Sequence, residues 1–307
     1  MSATSVVFAS AIALTACSLG RAAQTSPIGV AASTAAAQDG GPTIEVKEKA
    51  VVGTQHYRSS ESSLQINLPY GFSANGEYTF YESDLSSRAT TISVGLEKDW
   101  DKEYLGFTYS WTPLANNYRS EAATASGGYN SPSKNFKTTI GATFNATHHT
   151  EFVPSVVPDG DPQPLVPVDV WQVTGTLNLK QQIRAAKLTL DFGKSSYDHK
   201  IASLSGNISP DSTRLQGLEG LLPGFPDLEW KLGLYQNVGK WVTLWTVYDH
   251  IRFLEAEQSG HGNADSYLVG IEVFRSSRIT AALQYNYLIE TSEPKSTQWG
   301  LILRAKI

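Results

Sequence analysis

Residues 278–290 read RITAALQYNYLIE, and this stretch decides the fold. Every second residue is apolar or aromatic: Ile279, Ala281, Leu283, Tyr285, Tyr287 and Ile289. The positions between them are polar or charged, apart from Ala282 and Leu288. A period of two is the repeat of a β-strand, whose successive side chains point to opposite faces of a sheet. The stretch is therefore predicted to be a long strand with one apolar face and one polar face.

The same alternation recurs from about residue 63 to the end of the chain, for example in residues 171–180 and 228–235. It predicts an all-β fold of about twelve strands. Their predicted spans are 63–72, 76–83, 88–98, 102–112, 134–148, 167–180, 184–194, 227–236, 240–253, 266–275, 277–290 and 297–307.

The connections between the predicted strands alternate in length. Short turns at 180–182, 237–239 and 275–277 leave no room for helical crossovers, so the sheet is predicted to be antiparallel. Longer connections lie between them, at 150–166, 195–226, 255–265 and 291–296. This alternation is typical of an up-and-down transmembrane barrel with short periplasmic turns. One conflict remains: counting strands back from the C-terminus puts the long 113–133 connection on the periplasmic side.

Composition separates a membrane barrel from the soluble alternatives. Charged residues make up 17% of the 307 residues, below the roughly 25% of soluble domains. Mean hydropathy is nevertheless −0.22, and no window outside the N-terminus approaches about 18 continuous apolar residues, which excludes a helical membrane protein. The predicted polar face carries mostly Thr, Gln, Asn, Gly and Ser rather than Lys and Glu, which favours a lipid-facing barrel over a soluble β-sandwich or lipocalin-like barrel. The aromatic residues predicted at the membrane interface are Trp111, Trp171, Trp230, Trp241, Trp299, Tyr285 and Tyr287.

The N-terminus resembles an export signal. Residues 6–16 form a short apolar run that ends at Cys17, the single cysteine, in a lipobox-like LTAC sequence. Lipidation at Cys17, cleavage after Ala37 and an uncleaved segment are the three alternatives, and all of them imply export. We predict a leader at 1–42, a periplasmic segment at 43–62 and the barrel at 63–307.

The last strand reads QWGLILRAKI. It resembles the C-terminal β-signal of bacterial outer-membrane proteins, with Gln298, Gly300, Leu303 and Ala305 at the signal positions. The resemblance implies a porin-like barrel in the bacterial outer membrane, with membrane lipid and the barrel insertion machinery as partners. A net charge of −5 without a basic stripe predicts no nucleic-acid partner.

Charged residues on the polar face are predicted to line the lumen. They are Glu97, Lys180, Lys187, Asp191, Glu229, Lys231, His250, Arg252, Glu272, Arg278, Glu290, Arg304 and Lys306. Their mixed signs predict cross-strand ion pairs, with Glu272 opposite Arg278, or a lining that selects small polar solutes. The apolar loop at 195–226 is predicted either to fold into the lumen as a constriction or to contact a partner.

Three functions remain open on the sequence: a passive channel, a structural or assembly subunit with a closed lumen, and a lipid hydrolase. Outer-membrane lipid hydrolases carry a histidine two residues before a serine, and none of the six histidines here has that spacing. No catalytic residue is therefore predicted. The loop sequence at 159–161 is too short for a calcium-binding motif, so no metal or cofactor is predicted either.

Overall fold

The computed structural model describes residues 42–54, 56–82, 89–115, 118–131, 136–154, 165–198, 225–254, 263–274, 278–290 and 295–307. These residues form a closed barrel of fourteen strands. The strands are β1 (Thr43–Gly53), β2 (Arg58–Asn67), β3 (Phe72–Glu82), β4 (Ala89–Asp99), β5 (Glu103–Ala115), β6 (Tyr118–Asn130), β7 (Phe136–Pro154), β8 (Leu165–Ile183), β9 (Ala186–Tyr197), β10 (Phe225–Val238), β11 (Val242–Leu254), β12 (Asn263–Val273), β13 (Ile279–Glu290) and β14 (Ser296–Lys306).

Each strand pairs antiparallel with its neighbours in the chain, and β1 pairs with β14 to close the sheet. The predicted all-β, antiparallel up-and-down barrel is confirmed. Closure satisfies the backbone groups that an open sheet would leave unpaired at its edges. Among the described residues, no helix has the length and apolar character needed to cross a membrane.

Two strands were missed by the sequence prediction. The segment at 43–62, predicted as a periplasmic extension, forms β1 and the start of β2, while the 113–133 connection contains β6. Because fourteen is an even number, β1 begins and β14 ends at the same rim of the barrel. The six short connections also lie at this rim, which we assign to the periplasmic side. The parity conflict at 113–133 is thereby removed.

Strand β6 escaped prediction because small residues, Ala123, Ala125 and Gly127, occupy the middle of its outer face. Ala125 lies in one row between Phe107 of β5 and Phe144 of β7, both more than half exposed. These large neighbours supply the apolar surface that β6 itself lacks. The sequence of β6 consequently shows no alternation of apolar and polar residues.

The outer face of the barrel carries an apolar belt, on which Leu96 and Leu177 are 66% and 65% exposed. Aromatic side chains lie at both edges of this belt. The extracellular edge has Trp111, Trp171, Trp230, Tyr248, Tyr267, Tyr285, Tyr287 and Trp299, and the periplasmic edge has Phe72, Trp100, Tyr129, Phe136, Trp241 and Phe274. An apolar belt between two aromatic rows is the outer surface of a membrane-spanning barrel.

Candidate functional site: the lumen of the barrel

The inner face of the first hairpin holds a buried charge cluster. The Glu61 carboxylate of β2 accepts from Lys47 and lies 3.6 Å from the Lys49 ammonium group, both on β1. Only 3% of the Glu61 side chain is exposed. Two lysines on one strand reach the same carboxylate because residues 47 and 49 point to the same face.

A second network connects β1, β12 and β14 near the periplasmic rim. Arg304 donates to Glu272 at 3.0 Å and lies 3.5 Å from Glu45. Lys306 is 3.3 Å from the other oxygen of Glu45. Glu272 thus interacts with Arg304 two strands away, and the predicted pairing of Glu272 with Arg278 is wrong.

Further charged side chains continue this lining around the barrel. Lys231 lies 3.1 Å from Glu229 and 3.0 Å from Asp249, while the Lys187 ammonium group lies 4.0 Å from the centre of the Tyr235 ring. The strand registers place nine of the predicted lumen residues on the inner face. They are Glu97, Lys180, Lys187, Asp191, Glu229, Lys231, Glu272, Arg304 and Lys306.

Three predicted lumen residues lie elsewhere, whereas the register of a fourth, Glu290, pairs it with the inner-face Ala264. Arg278 is exposed in the turn before β13, where its carbonyl accepts from the Lys306 amide at 2.8 Å. Glu290 ends β13, and its side chain lies outside the described residues. His250 and Arg252 lie on the outer face, in the same rows as Trp230 and Leu228. Their placement in the lumen was wrong because the polar face of β11 changes sides near the extracellular rim.

A neutral polar layer lies on the extracellular side of the charged residues. Tyr118 donates to His149 Nδ1 at 2.7 Å, and His149 Nε2 donates to the Gln172 carbonyl at 2.9 Å. The Gln172 amide in turn donates to Ser195 at 3.1 Å. His149 is 1% exposed and Gln172 is 2% exposed. The sequence analysis missed this network because its members come from four strands and form no local motif.

Apolar side chains occupy the inner face at the extracellular ends of the strands, and we call this set the collar. Its members are only 1–7% exposed: Val51, Tyr57, Tyr81, Ala89, Tyr118, Val170, Ile251, Phe253, Ala264 and Leu288. They form four separate buried clusters around the rim. On β6–β9 the inner face thus carries neutral polar residues below the collar, whereas on β1 and β11 the charged Lys49 and Asp249 lie one inner-face position below Val51 and Ile251.

Solved structures share this architecture. The monoaromatic hydrocarbon channel CymD matches with a TM-score of 0.51 and 7% identity, over 88% of each chain. CdiB from Acinetobacter baumannii matches with a TM-score of 0.50 and 10% identity, over 87% of this chain and 60% of CdiB. OmpT of Vibrio cholerae matches with a TM-score of 0.49 and 10% identity, over 87% of this chain and 96% of OmpT. The chain shares the fold of these outer-membrane β-barrels. Scans against family models and curated proteins find no match for this barrel.

The last strand of the barrel divides the predicted insertion signal between the two faces. Gln298 and Gly300 lie on the inner face, and Leu303 and Ala305 lie on the outer face. A Cβ on Gly300 would lie 2.7 Å from the Gln284 side chain of β13, so glycine permits that contact. Cys17, the cleavage site after Ala37 and most of the 195–226 loop lie outside the described residues.

The described outer face of the barrel carries two histidine–carboxylate pairs, His148 with Asp169 at 3.3 Å and His250 with Asp265. His250 Nδ1 lies 2.9 Å from Asp265, which also accepts from Tyr248 at 2.5 Å. The outer-face positions flanking this pair on β10–β12 are Trp230, Leu228, Arg252, Asn263, Tyr248 and Tyr267. None of these described neighbours is a serine that could act as a nucleophile. Among the described residues, no group of three or more His, Cys, Asp or Glu is placed to hold a metal ion.

Proposed function

We propose that the barrel is a narrow passive channel for small polar solutes. The observation that carries this proposal is the charged inner face, whose side chains are in part open to solvent. The Arg304 and Glu229 side chains are both 33% exposed, and Lys306 is 64% exposed. Water that reaches these groups provides a polar path through the periplasmic half of the barrel.

The strand number supports a narrow path. Barrels of about eight strands are filled by side chains, whereas those of about 16 to 18 leave a wide aqueous channel. Fourteen strands lie between these sizes. CymD, which shares the fold at 7% identity, is a channel. This likeness is consistent with a channel function for the present barrel, but it does not indicate the solute.

The lining combines both charge signs, so we expect weak ion selectivity. Arg304 and Glu272 neutralise each other, as do Lys231 and Asp249. Replacement of one partner leaves the other to act on passing ions. The Arg304→Gln variant should therefore favour cations more than the unmodified barrel does.

Planar-bilayer recording of the purified full chain tests the proposal. We expect small discrete conductance steps and a reversal potential that shifts toward cations in Arg304→Gln. Lys98→Gln is the matched control, because Lys98 lies on the outer face between the Phe72 and Trp100 rings and should not alter selectivity. The absence of any steps from heat-modifiable, folded protein would refute the channel.

A second candidate function is a structural subunit with a closed lumen. The burial of the collar favours it, since inner-wall side chains such as Val51 and Phe253 are covered rather than open to water. Under this alternative the folded barrel gives no conductance steps. The same recording therefore separates the two functions.

A further inference from the structure

Two basic side chains lie on the outer face just beyond the extracellular edge of the apolar belt. Lys194 of β9, Leu228 of β10 and Arg252 of β11 form one row across these strands. The next row toward the membrane centre contains Phe192, Trp230 and His250. The rows are two residues apart, or about 7 Å along the strand. The two cations therefore lie at the level of lipid headgroups.

A β-bulge places an acidic residue between these cations. The β10–β11 register shifts between Pro226 and Leu228, which leaves Asp227 as the extra residue. One carboxylate oxygen of Asp227 accepts from Lys194, and the other accepts from Arg252 Nε at 3.0 Å and from its Nη2. Asp227 thus fixes both side chains in one orientation without filling all of their donor positions.

The exposed surface of this cluster is cationic although it contains a carboxylate. Both cationic side chains are 52% exposed, whereas the Asp227 side chain is 9% exposed. An ammonium group has three donors and a guanidinium has five, so donors on both remain for an incoming ligand. With two cations and one carboxylate, the three side chains carry a net charge of about +1 at neutral pH.

We propose that Lys194 and Arg252 bind the phosphate of an anionic lipid headgroup in the extracellular leaflet. Arginine and lysine both recognise phosphate oxygens through charge-assisted hydrogen bonds. Directly below them, Leu190, Phe192 and Leu232 are 40–46% exposed on the belt and offer an apolar surface for the acyl chains. Headgroup and chain contacts therefore lie on the same strands. The proposal is independent of whether the lumen conducts.

Native mass spectrometry of the purified full barrel tests this site. The probe is a phosphorylated glucosamine glycolipid added to the detergent-solubilised protein, with its dephosphorylated form as a comparison. We expect bound phosphorylated lipid, and at least a tenfold weaker binding in the Lys194→Gln/Arg252→Gln double variant, roughly 1.4 kcal/mol. Arg58→Gln is the matched control, since Arg58 is an exposed outer-face cation at the extracellular end of β2 and should leave binding unchanged.

Two results with the glycolipids would overturn the proposal. One is equal binding of the phosphorylated and dephosphorylated glycolipids, which would show that only the chains are recognised. The other is undiminished binding by the double variant after its fold has been verified by heat-modifiable gel mobility. Competition with inorganic phosphate distinguishes the source of the anion: lipid binding should persist, because free phosphate lacks the chain contacts. Full displacement by phosphate would also contradict a lipid site.

Discussion

Glu48 and Glu61 lie on the first hairpin and provide a direct test of which face points to lipid. Glu48 is on the outer face near the middle of β1, opposite Leu303, and it accepts from Ser62 at 2.7 Å. Glu61 is on the inner face and shares its carboxylate between Lys47 and Lys49. Replacement of each by leucine should consequently change stability in opposite directions.

The magnitudes follow from the two environments. Basic side chains on the lipid face near the midplane cost about 2–4 kcal/mol, and carboxylates cost less. The hydrogen bond from Ser62 offsets about 1 kcal/mol of the cost of placing the Glu48 carboxylate on the lipid face. Glu48→Leu should therefore stabilise the barrel by about 1 kcal/mol. Glu61→Leu removes the shared counter-charge of two partly or fully buried lysines and should destabilise the barrel by about 3–5 kcal/mol.

Reversible urea unfolding from phosphatidylcholine vesicles, followed by tryptophan fluorescence, measures both free energies. Unmodified protein is the reference, and Ser62→Ala reports the hydrogen bond alone. A Glu48→Leu variant as unstable as Glu61→Leu would refute the face assignment. Such a result would indicate a strand register shifted by one residue, since a one-residue slip exchanges the two faces.

Three other substitutions test packing inside the barrel. Gly141→Ala should destabilise by about 1–3 kcal/mol, because its Cβ would lie 2.3 Å from the Tyr104 hydroxyl, and adding Tyr104→Phe should recover part of that loss in urea titrations. Gln172→Leu should lower the free energy of unfolding by about 2 kcal/mol, because it removes the acceptor of the buried His149 ring N–H. Gln236→Leu, on the exposed outer face, should change the free energy of unfolding little in the same titration. Phe253→Ala in the collar should lower the free energy of unfolding by about 3 kcal/mol. An equal loss for Phe192→Ala on the outer face would contradict the burial of the collar side chains.

The alternation of residues predicted the barrel but not all of its strands. Residues 278–290 show a strong period of two because β13 lies between lipid and a polar lumen. Strand β1 lacks that signal, since Glu48 interrupts its outer face. Strand β6 lacks it because the side chains in the middle of its outer face are small. The period of two is visible only where one face of a strand is consistently more apolar than the other.

Nine charged residues of the lining were predicted from the same alternation, whereas the Glu61–Lys47–Lys49 cluster was not, because β1 was not predicted to be a strand. Glu272 was expected to meet Arg278, but it reaches Arg304 across β13. Sequence order says nothing about contacts between strands that are not adjacent. The collar and the Gln172 network were missed for the same reason, since each joins residues that are far apart in the chain.

The misplacement of His250 and Arg252 identifies where the membrane boundary lies on β11. Below this level, near the periplasmic end of β11, the outer Leu244 is apolar and the inner Thr243 is polar, although Trp245 and Val247 also face the lumen. Above it the pattern inverts, with Arg252 outside and Phe253 inside. A reversal of this kind follows if the outer surface leaves the lipid while the inner surface enters the apolar collar. Which face of a strand is the polar one therefore depends on the surroundings of both its outer and its inner surface. Near the rim of a barrel, the polarity of a residue alone cannot assign it to the lumen.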